Sequence, residues 1–372
     1  MKIGVLTSSR ADFGIYLPLL KRLKEDVFFD LSIIAFGTHL SSFHGGTLKN
    51  IKEAGFEVKH TIESMLLTDS PESISTAIGL TTIKFADFWK QYSTTFDLVF
   101  CLGDRYEMFA AVTSGIAFNI AFAHLHGGET TLGAIDNVFR HGITLSSKYH
   151  FVSTHEYAER VANIISSNDN IHYVGALSLD NLSNINLLSI EQFRNKWGVD
   201  FSKETILMTF HPETVNIKNN VTYAEELVSV IKGNPLFQFL ITLPNADISG
   251  TAVRKILIDS LSHNDKVYLI ENLGSQSYFS AMKHCSFLMG NTSSGIIEAA
   301  SFGKYVINLG DRQKGRAFGE NVIQTQINIS AMQSAINRLS VLGSYKGENI
   351  YYKKDSAKQI ISILKQIIIN EK

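Results

Sequence analysis

The stretch "AHLHGGETTLGAIDNVFRH", residues 123–141, sets three histidines, Glu129, Asp136, Arg140 and three glycines directly after an apolar run. A packed core has no use for that mixture, whereas a site that moves protons beside an anion does. Imidazoles titrate near neutrality, carboxylates serve as acids or bases, and a guanidinium grips an oxyanion. Strand alternation puts His124 and His126 on one face at the end of a sheet. Gly127 and Gly128 let the chain turn and approach a ligand closely. Glu129, Asp136, Arg140 and His141 then fall on the next loop and helix. Asp136 and Arg140 are four apart, so an intrahelical ion pair is the alternative to a role in a site. His124, His126 and Glu129 would also admit a metal, but one cluster without a partner motif argues against zinc.

Other chemistry-bearing residues sit at the ends of apolar runs. "TSSRADFG" places Arg10 in a first strand-to-helix loop, suited to clamping a phosphate or to a surface ion pair. "GDRYE" puts Asp104 at a strand end, as a helix cap or as an acid, base or hydroxyl acceptor. His211 stands in "TFHPET" and Asn245 in "PNAD". "GNTSSGIIE" offers Gly290, Asn291, Thr292, Ser293 and Ser294 before a helix, an anion site for a diphosphate or a plain helix cap. Glu298 comes one turn later and could accept from ribose hydroxyls. "GDRQKGR" adds Arg312, Gln313, Lys314 and Arg316, either around a phosphate or as a solvated turn. No GxxxxGK[ST] loop, no GxGxxG after the first strand and no GxSxG elbow occurs, which weighs against ATPase, dehydrogenase and serine hydrolase readings.

The pattern also indicates the elements that must position these residues. "KIGVLTSS", "FDLSIIAFG", "FDLVFCLGD", "IAFAHLHGG", "YHFVST" and "IHYVGA" read as strands in the first half. "ETILMTFHP", "FQFLITLPN", "KVYLIEN", "SFLMGNTSSG" and "YVINLG" repeat the scheme in the second. Helical stretches separate them, one opened by Ser70 as cap with Pro71 at the first helical position. Continuous apolar strands alternating with helices predict parallel sheets covered on both faces. One sheet would be unusually wide for 372 residues. Two doubly wound domains are expected, 1–178 with the final helix 355–372, and 179–354, with ligands beyond the carboxyl ends of strands and a cleft between the two.

Charge and cysteines narrow the class. Lys plus Arg total 34 against 35 for Asp plus Glu, so nothing electrostatic favours nucleic acid or an acidic membrane surface. Cys101 and Cys285 lie in apolar runs and read as buried small hydrophobes. The first residues lack a signal-peptide pattern, and no stretch approaches about 18 apolar residues. A soluble, cytoplasmic protein is expected.

Together, "TSSRADFG", "GTHLSSFHGGT", "CLGDRYE", "HLHGGETTLGAIDNVFRH", "FHPET", "PNAD", "GNTSSGIIEA" and "INLGDRQKGR" resemble the hydrolysing UDP-N-acetylglucosamine 2-epimerases of sialic acid synthesis. The relatives acting on UDP-diacetylbacillosamine, in legionaminic acid synthesis, are close behind. The GGE…GxIDxxxRH pattern is that of the hydrolysing branch, since the non-hydrolysing epimerases show an "EAGLR"-like sequence there. The resemblance implies a glycosyltransferase-B-type pair of Rossmann-like domains. It implies elimination of UDP across C1 and C2 to a glycal, then hydration to a free 2-epimerised sugar such as N-acetylmannosamine. No metal or nicotinamide cofactor is expected, the small-molecule partners are the UDP-sugar and UDP, and the family habit is a homodimer or homotetramer.

Carried over by the resemblance, Arg10, Thr292, Ser293 and Arg312 look like diphosphate ligands and Glu298 like the ribose ligand. Asp104, Asp136 and His211 fall at acid/base and sugar-contact positions, with Glu129 and Arg140 in the sugar pocket. Asn245, Gly290, Asn291, Ser294 and Gln313 complete the substrate-binding set. The sequence departs from the family at the first Glu of "HIEGGE", where His126 stands, and at Asn137 and Ile297, where Asp and Arg are common. The loop after the glycines is one residue longer. Either His126 takes over the missing carboxylate's acid/base work, or it only contacts sugar hydroxyls and Asp104 or Asp136 moves the proton. A glycosyltransferase using the same diphosphate site, and a nucleotide-sugar-binding regulator without turnover, are the readings from other classes.

Overall fold

A computed structural model describes residues 1–43, 46–66, 70–130, 132, 135–182, 185–213, 217–244 and 248–371. The chain forms two compact units: Met1–Glu129 with Ile135–Ser183 and Lys353–Lys372, and Thr130–Ala134 with Asn184–Tyr352. Each is built on its own parallel sheet.

The first sheet has seven strands: β1 (Lys2–Thr7), β2 (Asp30–Phe36), β3 (Val58–Ile62), β4 (Leu98–Leu102), β5 (Phe122–Leu125), β6 (Tyr149–Val152) and β7 (Ile171–Tyr173). Their order is β3-β2-β1-β4-β5-β6-β7. Successive residues enter different cores, which explains the continuous apolar runs. Val5, Ile33 and Phe100 pack on one side with Ala357, Ile360 and Leu364 of the helix Ser356–Glu371. Leu6, Ile34 and Val99 pack on the other with Phe85 and Trp89 of the helix Pro71–Tyr92. That helix begins as its sequence predicts, the Ser70 side chain accepting from the Ser73 N–H. Trp89 satisfies its only polar atom by donating Nε1–H to the Ala111 carbonyl at 3.0 Å, so a large apolar ring is buried at no polar cost.

The second sheet has six strands: β8 (Thr205–Thr209), β9 (Gln238–Thr242), β10 (Val267–Ile270), β11 (Phe287–Gly290), β12 (Val306–Leu309) and β13 (Val322–Thr325). The order is β10-β9-β8-β11-β12-β13. Ile206 and Met208 face one core and Leu207 the other.

Two strands are absent from the sequence reading, β3 and β13, and both are sheet edges. Each has one neighbour and a wetter face, and neither carries a continuous apolar run, unlike the edge strand β10 ("VYLI"): β3 is "VKHTI" and β13 "VIQT", each mostly half-exposed or exposed. Cys101 and Cys285 are buried free thiols. Among the described residues, no helix is long and apolar enough to cross a membrane.

Candidate active site

The first unit gathers six of the candidates at the carboxyl ends of β1, β4 and β5, which are neighbours in the sheet. Arg10 opens the helix Arg10–Glu25 and is exposed. The helix is capped by Ser9, and the buried Asp12 accepts from the Ser8 N–H at 2.9 Å and from the Ser8 and Ser9 hydroxyls at 2.7 and 2.9 Å. The Ser9 hydroxyl in turn accepts from the Asp12 N–H at 3.2 Å, and this reciprocal set fixes the loop that leads into Arg10.

Asp104 is not a helix cap, because Arg105 occupies that position before the helix Tyr106–Gly115. It is ion-paired to Arg140 instead. Arg140 is almost wholly buried, and its Nη1 also donates to the His126 carbonyl at 2.8 Å and lies 3.8 Å from Glu129 Oε2. Arg140 thus pairs across the turn, with Asp104 and Glu129. Asp136 begins the helix Asp136–Leu145, half-buried. Burial, and then the charge of Asp104, raise its affinity for a proton above that of an ordinary Asp, with Arg140 and Arg105 only partly offsetting them.

The two strand histidines part company at the end of β5. His124 is sealed in the sheet, Nε2 against the Gly103 carbonyl at 2.9 Å and Nδ1 against Thr144 Oγ1 at 3.1 Å. Burial pushes its pKa down to about 3, so it is neutral and both ring nitrogens are used within the fold. It is not available as a metal ligand. His126 breaks the alternation because its backbone is left-handed, φ 63°. Such a conformation costs a non-glycine residue on the order of 1 kcal/mol or more. It is held by the His126 N–H donating to the Phe151 carbonyl at 3.1 Å and by the Arg140 bond to its own carbonyl. Gly128 sits two residues on at φ 75°, where a Cβ would lie 2.5 Å from the Tyr157 carbonyl oxygen. The turn brings the His126 ring onto Glu129, Nδ1 to Oε1 at 2.6 Å. Ser153, at the end of β6, donates to the same oxygen at 3.2 Å. Sequence reasoning missed Ser153, although its place in "YHFVST" after an apolar run matches the other strand-end polar residues.

In the second unit, His211, Gly290, Asn291, Thr292, Ser293, Ser294, Glu298, Arg312 and Gln313 lie at or beyond the ends of the neighbouring strands β8, β11 and β12. Asn245 lies outside the described residues. The turns are tied by amides. Asn291 Oδ1 accepts from the His211 N–H at 2.7 Å, and Nδ2 donates to the His211 carbonyl at 2.8 Å. Gln313 Nε2 donates to the Asn291 carbonyl at 2.8 Å, and Arg312 Nη1 to the Pro212 carbonyl at 3.0 Å. Glu213, also missed, is buried and accepts from the Asp311 N–H at 2.8 Å. Thr292 caps the short helix Ser293–Ile297, leaving Ser293 exposed and Thr292, Ser294 and Arg312 half-exposed. Hydroxyls, helix-start amides and a guanidinium in one set of turns can hold an anion.

Two doubly wound units, each with polar turns at the carboxyl ends of its strands, give the glycosyltransferase-B-type fold class. The family profile described as UDP-N-acetylglucosamine 2-epimerase matches residues 21–365. The chain belongs to that family. A Legionella pneumophila protein named UDP-N,N'-diacetylbacillosamine 2-epimerase (hydrolyzing) is 32% identical, over 98% of this chain and 96% of its own length. A Campylobacter jejuni protein named GDP/UDP-N,N'-diacetylbacillosamine 2-epimerase (hydrolyzing) is 35% identical over 88% of this chain and 85% of its own. The solved UDP-GlcNAc 2-epimerase of Neisseria meningitidis, bound to UDP-GlcNAc, matches with a TM-score of 0.83 at 17% identity. It covers 98% of this chain and 100% of that one, a likeness of fold.

Proposed function

We propose that this chain is a hydrolysing 2-epimerase that converts UDP-N-acetylglucosamine and water to N-acetylmannosamine and UDP. The observation that carries the reading is the cluster of His126, Glu129, Arg140 and Asp104 after β4 and β5, with Asp136, whose proton affinity burial and Asp104 raise, in the same group. Removing the weakly acidic C2 proton needs a positioned base, and His126 supplies it. The electron pair of the C2–H bond becomes the second C1–C2 bond as the C1–O bond breaks, its pair leaving on UDP. Water then adds at C1 while a proton is returned to C2, for which Asp136 is suited because it holds its proton more firmly than an ordinary Asp. Arg312, Thr292, Ser293 and Arg10 hold the departing diphosphate, and Glu298 the ribose. Fixed cations and hydroxyls stabilise charge as it grows on the leaving group.

A second reading keeps the chemistry and changes the sugar to UDP-N,N'-diacetylbacillosamine, the sugar in the names of both the Legionella and the Campylobacter relatives. Proton NMR of the purified protein with each UDP-sugar in heavy water tests both. The expected result is UDP release without an acceptor, a product of inverted configuration at C2, and deuterium at that carbon. Turnover of the diacetamido sugar alone selects the second reading. UDP release only when an acceptor sugar is added, or tight UDP binding with no turnover of either sugar, overturns the epimerase.

A further inference from the structure

We propose that Glu129 is the positioning residue for His126: it fixes the ring's hydrogen on Nδ1 and leaves Nε2 as the nitrogen that exchanges a proton with the substrate. The proposal rests on the reading of His126 as the base. Four observations carry it. A carboxylate oxygen has no hydrogen to give, so the 2.6 Å contact between Glu129 Oε1 and His126 Nδ1 places the hydrogen on Nδ1. The carboxylate is itself held, Oε1 by the Ser153 hydroxyl at 3.2 Å and Oε2 with Arg140 Nη1 at 3.8 Å. The His126 backbone sits at φ 63°, which aims the ring back at a residue only three positions on. Finally, Nε2 makes no hydrogen bond among the described residues and is not one of the buried polar atoms that lack a partner, so it reaches solvent. His124 and His150, registered opposite each other on β5 and β6, have no such reach: one has both nitrogens engaged, and the other has both sealed without partners.

A carboxylate behind an imidazole does two things. It selects the tautomer, and it stabilises the imidazolium that forms when Nε2 takes a proton. This assigns Glu129 a different task from the sugar contact that the resemblance implies. With its carboxylate only a few per cent exposed and both oxygens facing protein groups, it acts through His126.

The test combines a spectroscopic and a kinetic measurement on the full chain. Long-range proton–nitrogen correlation on histidine-labelled protein without substrate reads where the His126 hydrogen sits, His126→Asn assigning the signal. The expected result is hydrogen on Nδ1 in the wild type and a shift toward Nε2 in Glu129→Gln, whose side chain can donate as well as accept. The expected kinetics are a kcat at least about 10-fold lower with KM changed less than about threefold. Wild-type hydrogen on Nε2, an unchanged kcat, or a raised KM at unchanged kcat overturns the positioning. Should Glu129→Gln fail to fold, Glu129→Asp, which draws the carboxylate back from the ring, is expected to shift hydrogen toward Nε2 with a smaller kcat loss, and hydrogen kept on Nδ1 with an unchanged kcat overturns the proposal. A Glu129-dependent tautomer in a protein that turns over no sugar keeps the positioning and overturns the reaction. A Glu129-independent tautomer in an active enzyme does the reverse.

Discussion

In the first unit, the turn after β5 is held by charge: Arg140 against Asp104 and Glu129, and Glu129 against His126. In the second, the turns after β8, β11 and β12 are held chiefly by hydrogen bonds to the backbone, with Asn291 clasping His211 through both its polar atoms, Gln313 reaching Asn291 and the Arg312 guanidinium donating to the Pro212 carbonyl. The buried Glu213 there faces a backbone N–H. Groups that must gain and lose protons need neighbours whose charge shapes that exchange. Groups that only hold an anion are better framed by side chains that keep one protonation state at every working pH. The first unit should therefore respond to pH, and the second to geometry.

The largest test of that contrast is steric. Gly290 has φ 147°, and a Cβ there would lie 1.9 Å from the Thr209 carbonyl oxygen, the acceptor of the Asn291 N–H at 3.1 Å. Nothing flexible stands in the way to yield, so Gly290→Ala must force β8 and β11 apart. The expected cost is about 4 kcal/mol or more, with UDP binding lost by calorimetry at pH 6 and pH 8 alike. Retained UDP binding would show that this turn is not what frames the anion site.

Next comes a carboxylate put in place of one of the second unit's amides. Asn291→Asp keeps the shape, but sets an acceptor against the His211 carbonyl and buries a carboxylate where a neutral amide stood. A loss of about 3 kcal/mol is expected, read as a lower denaturation midpoint at pH 8 that recovers as the medium is acidified and the new carboxyl takes up a proton. An equal loss at pH 5 and pH 8 would mean that the site tolerates charge, and the contrast between the units would fail.

The sheets and both sets of turns were legible in the sequence because buried parallel strands carry unbroken apolar runs that end in polar residues. "LVFCLGD" and "FLMGNTSSG" announce β4 and β11 together with the polar turns that leave them. β3 and β13 were not legible, since Lys59, His60 and Thr61 in one and Gln324 and Thr325 in the other give these edge strands the composition of loops, whereas the edge strand β10 keeps an apolar run. At the site, residue types could be read but pairings could not. Asp136 and Arg140 have ion-pair spacing, yet Arg140 is held across the turn by Asp104. His124 and His126 alternate like strand neighbours, yet a left-handed residue after β5 separates their fates. Ser153 and Glu213 were invisible because their partners are 24 and 98 residues away. Grouping of Thr130–Ala134 with the second unit was likewise hidden; Leu132 donates its N–H to the Lys314 carbonyl at 2.9 Å, a contact that no local pattern encodes.

A smaller effect sharpens the pH half of the contrast. His150 on β6 is fully buried, and neither ring nitrogen has a partner. Burial, and then the nearby His172, lower its pKa to about 4 from 6.5. A histidine with a depressed folded pKa leaves the unfolded chain binding more protons, so stability is lost as pH falls from 6.5 toward 4. The loss between pH 7 and pH 5 is about 2 kcal/mol. His150→Leu should remove that share of the slope and leave the share of His124, whose own loss also starts near 6.5 and runs on toward 3. Urea midpoints at several pH values measure it. An unchanged slope would mean that the sheet opens to admit the charged ring.

The smallest effect is the most discriminating, because it separates a site cost from a helix benefit. Asp136 sits in the first turn of its helix, where a negative charge ordinarily stabilises, yet burial and Asp104 raise its proton affinity. With a raised folded pKa, its contribution to stability is fully present below 3.8 and is lost as pH rises through the folded value. Above that value the native state carries the cost of a half-buried charge beside another. Asp136→Asn removes the cost, so its melting temperature should match the wild type near pH 4 and exceed it by about 1–2 °C at pH 8, even as turnover falls. A variant less stable than the wild type at pH 8 would show the helix start using the charge. The first unit's carboxylates would then be arranged for folding, and proton chemistry would have to be sought at His126 alone.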